Sequence, residues 1–158
     1  MRPVEAEWVC SAIMKRGTKW ASPLANVGSS TFEFRSVKKP HIEARLLAPL
    51  REAGVKVVNI DIREDEGVDV VGDLTDPAFL AELKGRGFRT VICANLLEHL
   101  SDRDPITNAL ADLVEPGGIV IVTVPRSYPY HADPIDTLYR PTPEQIAAEF
   151  PGLRLVYG

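Results

Sequence analysis

The chain predicts an α/β fold with a doubly wound, mostly parallel sheet, and three observations carry that prediction. Short apolar runs recur at residues 57–60, 68–71, 91–94 and 119–124. Stretches with helical apolar spacing stand between most of them, the alternation expected of strands connected through helices. The first three runs each deliver polar or small residues at the carboxyl end: Asp61, then Gly72-Asp73, then Asn95. In an open parallel sheet those ends line the ligand crevice.

The elements follow in order. Residues 4–16 place Val4, Trp8, Cys10, Ala12 and Ile13 at loose helical spacing, with acids early and bases late to suit the helix dipole. This predicts a preceding helix that packs on the sheet or covers the cleft. Residues 23–28 read as a first strand running into the small-residue turn Gly28-Ser29-Ser30-Thr31. Residues 40–53 gather Ile42, Leu46, Leu47 and Leu50 on one helical face, with Pro40 at the start and Gly54 at the stop. Pro49 lies inside that helix and is expected to kink or divide it. Asp76-Pro77 and Asp104-Pro105 each read as an N-cap followed by a first-turn proline. The helices they open carry Phe79, Leu80 and Leu83, then Ile106, Leu110, Leu113 and Val114. Pro116-Gly117-Gly118 leads into residues 119–124, a continuous apolar run of the kind covered on both faces. Thr142-Pro143-Glu144-Gln145 is a capping box for a last short helix, and residues 153–157 are expected as a sixth strand. The whole, residues 1–158, is one domain: a helical segment over 1–20 and a binding core over 23–158.

Composition narrows the function classes. Net charge is −4, and no basic cluster exceeds Lys38-Lys39, which disfavours a nucleic-acid partner. No apolar run approaches the ~20 residues of a membrane span. Arg2, Glu5 and Glu7 argue against a signal peptide, so a cytoplasmic protein is expected. Cys10 and Cys93 stand alone, and Cys93 reads as an apolar filler inside a strand. No residues have metal-ligand spacing, and the adjacent pair Glu98-His99 cannot face one metal from a regular element.

Asp61 and Asp73, at neighbouring strand ends, would face one ligand. A carboxylate suits a ribose diol and a second suits an adenine amino group, so an adenosine-containing cofactor is expected. The alternative for Asp61 is an exposed turn aspartate, and for Asp73 a capping role shared with Thr75-Asp76.

The sequence resembles the class I S-adenosylmethionine-dependent methyltransferases, nearest to the small-molecule and sugar-type branch with its LEH motif. GDLTD, ANLLEHLSD, LVEPGGIVIVTVP and HADPIDTLYRPTPEQI carry the resemblance in the family's order, over about residues 26–150. It implies S-adenosylmethionine as cofactor, held by the Asn26, Gly28 and Ser30 turn, by Asp61 on the ribose and by Asp73 on the adenine. Ile62 and Leu74 would border the ring, and Asn95 would lie where cofactor and acceptor meet. Asn26 stands where the family has an acid and Ser30 where it has a second glycine. The segment between Gly28 and Asp61 is longer than usual, leaving Phe32-Glu33-Phe34-Arg35 as an extra wall or lid. The family also closes its sheet with a seventh, antiparallel strand. The chain ends before one, which would mean truncation, a partner or an unusual edge, and a homo-oligomer is one expected outcome.

An oxygen acceptor calls for a base, and His99 is the first candidate, with His131 the second. A loop-anchoring histidine is the alternative for His99, with Glu98 orienting backbone or buttressing it. Tyr128, Tyr130 and His131 offer ring faces and polar tips to a sugar-like or phenolic small molecule. Asp136 and Arg140 read best as a salt bridge pinning their loop to the last helix. The expected activity is methyl transfer to a small hydroxylated acceptor. The rival readings are a methyltransferase-like binding or scaffold module, and a nucleotide-dependent oxidoreductase or sugar-modifying enzyme. The full glycine fingerprint of a nicotinamide site is absent.

Overall fold

A computed structural model describes residues 1–130 and 135–158. The chain begins with α1 (Pro3–Arg16) and the short α2 (Thr18–Ala21), then enters β1 (Leu24–Val27). A helical region follows: a π-helical stretch Phe34–Lys38, α3 (Pro40–Ile42), a second π-helical stretch Glu43–Leu47, and α4 (Ala48–Glu52). Then come β2 (Val57–Asp61), β3 (Val70–Val71), α5 (Pro77–Lys84) and β4 (Thr90–Ala94). A 3-10 turn over Leu97–His99, α6 (Asp104–Leu113), β5 (Ile119–Thr123) and α7 (Pro143–Ala148) complete it.

The five strands form one sheet in the order β3-β2-β1-β4-β5, and every pairing is parallel. This is a Rossmann-like α/β fold. Alternate strand residues feed two apolar layers, as the two-residue period of a strand requires. Ala25, Val27, Val91 and Cys93 pack with Leu83 of α5, and with Leu110 and Leu113 of α6. Leu24, Ile92 and Ile121 pack on the opposite face with Ala6, Val9 and Ile13 of α1 and with Leu46, Leu47 and Leu50. Cys93 is a wholly buried filler, and burial pushes its thiol up to about 12.

The helix over residues 40–52 does change at Pro49, where the second π-helical stretch gives way to α4. The proline's missing N–H is accommodated by a widened turn, in which the Ala48 N–H reaches the Glu43 carbonyl. Several expectations need correction. In α1, Val4 and Trp8 face outward while Ala6 and Val9 join Cys10 and Ile13 inside. Asp104 lies within α6 instead of capping it, and its N–H is received by Asp102 Oδ1 at 3.3 Å. The run 119–124 does pack on both faces, Ile119 and Ile121 toward the α1 layer and Val120, Val122 and Val124 toward the α5–α6 layer, but incompletely. β5 is the last strand in the order, and only Ile121 of its residues is buried. No sixth strand forms over residues 153–157, where Tyr157 instead stacks on Trp8 of α1, ring centroids 5.6 Å apart. Among the described residues no helix is long and apolar enough to cross a membrane.

Candidate functional site

A cleft of about 1290 Å³ opens beyond the carboxyl ends of the strands. It brings together Asn26, Gly28, Ser30, Asp61, Ile62, Asp73, Leu74, Asn95, His99 and Tyr128. Tyr130 is exposed and is not among the lining residues described, and His131 lies outside the described residues. The start of α1 also borders the cleft through Arg2 and Glu5, so the first helix both packs on the sheet and covers part of its mouth.

The turn after β1 sets one end. Gly28 has φ +65°, and a Cβ there would come within 3.1 Å of the Leu96 side chain. Ser30 adopts a left-handed φ of 57°. Its N–H donates to Asp61 Oδ2 at 2.7 Å, while the Arg63 N–H donates to Asp61 Oδ1 at 3.0 Å. Each carboxylate oxygen of Asp61 thus takes one backbone donor and keeps a second lone pair for a ligand hydroxyl.

Asn26 is tied across the sheet. Its Nδ2 donates to Asn59 Oδ1 at 3.0 Å, and Asn59 donates its backbone N–H (2.7 Å) and Nδ2 (3.1 Å) to Asp69 Oδ2. Asn26 and Asn59 are register partners, so parallel pairing itself makes this buried contact. Asn59 and Asp69 were missed from sequence: a helical region separates Asn59 from Asn26, and a loop without a period separates it from Asp69.

Asp73 differs from Asp61. It is exposed, and its Oδ1 accepts from the Thr75 N–H (2.8 Å) and hydroxyl (2.7 Å). Those bonds hold its carboxyl below the usual carboxylate range. The cap of α5 is Asp76, accepting from the Ala78 N–H at 2.8 Å. Gly72 precedes Asp73 because a Cβ there would fall 2.5 Å from the Phe79 ring. Leu74 is buried in the core, whereas Ile62 is 70 % exposed at the cleft edge.

The other end follows β4 and β5. Asn95 has φ 54°, and its N–H donates to the Thr123 carbonyl at 2.8 Å. Glu98 is 3 % exposed, and burial pushes its carboxyl above the ordinary value, opposed by hydrogen bonding and by His99. His99 Nδ1 lies 2.8 Å from the Ile135 carbonyl. A carbonyl only accepts, so that nitrogen carries a hydrogen, and Nε2 stands 4.0 Å from Glu98 Oε1. The Thr137 N–H and hydroxyl both donate to the Glu98 carbonyl at 2.9 Å. Asp136 and Arg140 form the expected bridge, with Oδ1 to Nη1 at 3.0 Å and Oδ2 to Nη2 at 2.6 Å. Arg126 donates to the Arg140 carbonyl at 3.1 Å, and Arg2 to the Ser127 carbonyl at 3.2 Å.

Phe34 also lines the cleft, as the extra-wall expectation had it, but Arg35 beside it points inward and is buried. Local sequence offers no signal for that burial, since its partners lie in two separate loops. Among the described residues no group of three His, Cys, Asp or Glu side chains is placed to hold a metal ion. No family model matches the chain, and no curated protein matches it either.

Proposed function

We propose that the protein is an S-adenosylmethionine-dependent methyltransferase acting on a small hydroxylated acceptor, sugar-like or phenolic. One observation carries the reading: Asp61, at the carboxyl tip of β2, receives the N–H of a left-handed Ser30 in the turn after β1, and both line a cleft large enough for cofactor and acceptor. The residues present fit the cofactor. Asp61 keeps acceptor capacity for a ribose diol, and Gly28 leaves the turn without a Cβ against Leu96. Asp73 and Leu74 are available to an adenine.

When bound, the cofactor supplies a methyl group on a sulfonium, a reaction that needs in-line placement above all. The chain's part is to orient and to hold protons. The Gly28–Ser30 turn and Asp61 would fix the cofactor end. His99, whose Nδ1 donates to the Ile135 carbonyl, would use Nε2 to take a proton from an acceptor hydroxyl. The same Nδ1–H bond anchors the 135–137 loop, so one imidazole would serve both roles. Tyr128, about half exposed at the rim, would offer a ring face to the acceptor.

Calorimetry with S-adenosylhomocysteine tests the reading. Binding is expected, and none by the folded protein would sink it. Thermal stabilisation by NAD or a nucleotide sugar instead would favour an oxidoreductase or sugar-modifying enzyme. Cofactor binding without transfer to any acceptor panel would favour a binding module.

A further inference from the structure

Arg35 is 1 % exposed, and a guanidinium out of water is costly unless its donors are bonded. Its close bonds go to backbone carbonyls. Nη1 donates to Ser29 O at 3.0 Å and to Ser30 O at 2.5 Å, while Nη2 donates to Gly67 O at 2.7 Å. The Glu43 carboxylate stands farther off, 3.9 Å from Nε. One planar fork therefore gathers three carbonyls from two loops, which a lysine, as a point charge, could not do.

The geometry around it is demanding. Gly67 has φ +79°, and a Cβ there would lie 2.8 Å from Arg35 Nη2 and 2.6 Å from Phe32 Cβ. Glycine alone lets that loop approach. On the other loop, the Ser29 and Ser30 carbonyls turn onto Arg35 while the Ser30 N–H donates to Asp61 and the Ser29 N–H to the Ile60 carbonyl. The peptide groups of the turn are thus oriented from both sides: carbonyls to a buried cation, amides toward β2.

We infer that Arg35 is a positioning residue for the cofactor site, acting through the Ser29–Ser30 turn to hold Ser30 in its left-handed conformation and Asp61 in its ligand-ready orientation. This rests on the cofactor reading above. It assigns the long segment between Gly28 and Asp61 a task beyond walling the cleft, that of delivering an internal brace to that turn.

The test measures S-adenosylhomocysteine affinity in the full chain for wild type, Arg35→Lys, Asp61→Ala and the double variant. Arg35→Lys is expected to weaken binding roughly tenfold, the loss of charge-assisted bonds that hold the turn. Added to Asp61→Ala it should cost less than about twofold more, because both act through one contact. Folded Arg35→Lys with unchanged affinity, or losses that multiply in the double variant, would overturn the inference and leave the cofactor reading standing. If wild type does not bind, the cofactor reading itself fails. Should Arg35→Lys not fold, the Arg35 Nε–Hε resonance of the wild-type protein decides. It is expected to move on titration with S-adenosylhomocysteine, and an unmoved resonance overturns the inference.

Discussion

The two ends of the cleft are built differently. At the β1–β2 end, sheet register does the positioning: Asn26 pairs with Asn59 and Val27 with Ile60, which sets the turn after β1 beside Asp61. At the β4–β5 end, strand register stops short of the working residues. There the 3-10 turn is held from outside, by Thr137 on the Glu98 carbonyl, by His99 on Ile135, and by a loop closed through Asp136 and Arg140. The strand tips of the first end cannot shift without moving two central strands, and only the turn between them depends on the Arg35 brace. The second can be rebuilt while the sheet stays intact, the usual division between a scaffold and specificity-bearing loops.

That contrast can be broken or sharpened by substitution. The largest effect is expected at the loop-built end. His99→Ala should lower turnover by about 10²–10⁴ if Nε2 takes the acceptor proton, while cofactor affinity stays nearly intact. A large loss of S-adenosylhomocysteine binding in the same variant would mean that the two ends are not independent. Next comes the register-built end, where Asp61→Ala should cost about 1.5–3 kcal/mol of cofactor binding, read by calorimetry. Unchanged affinity would refute the ribose role. Asp73→Ala should cost less, about two- to tenfold in affinity, because its carboxylate is exposed and already engaged by Thr75. A loss exceeding that of Asp61→Ala would reverse the ranking of the two carboxylates.

The smallest effect concerns pH. Burial raises the Glu98 carboxyl above its ordinary 4.5, so between that pH and the raised value the folded chain keeps a proton that the unfolded chain has released. Stability attributable to Glu98 is therefore present at low pH and falls as pH rises through that window. Glu98→Gln should flatten the slope of Tm against pH there and raise Tm modestly at neutral pH. A lower neutral Tm with an unchanged slope would show that the ionised carboxylate is well accommodated.

Much of the scaffold was legible. The apolar runs give strands at Leu24–Val27, Val57–Asp61, Thr90–Ala94 and Ile119–Thr123, and Asp61 ends its strand as read. A two-residue strand period and a helical period are local signals, carried by neighbours in the chain. The Thr142–Gln145 capping box and the Asp76 cap were readable for the same reason: each is satisfied within three residues. Asp136–Arg140 is likewise local, four residues apart.

By itself, then, the sequence determined the α/β class, the positions of most strands, and which polar residues stand at their carboxyl ends, because those properties follow from short-range periodicity and capping chemistry. Tertiary structure alone decided that β5 is a half-exposed edge, and that residues 153–157 leave the sheet and end with Tyr157 on Trp8. It also decided that Pro49 is absorbed by a widened turn, that Asn59 and Asp69 lock Asn26, and that Arg35 is buried beneath the Ser29–Ser30 turn. Each of these depends on groups from distant elements arriving together. Burial and long-range hydrogen bonding are properties of the assembled layers and leave no period in the chain.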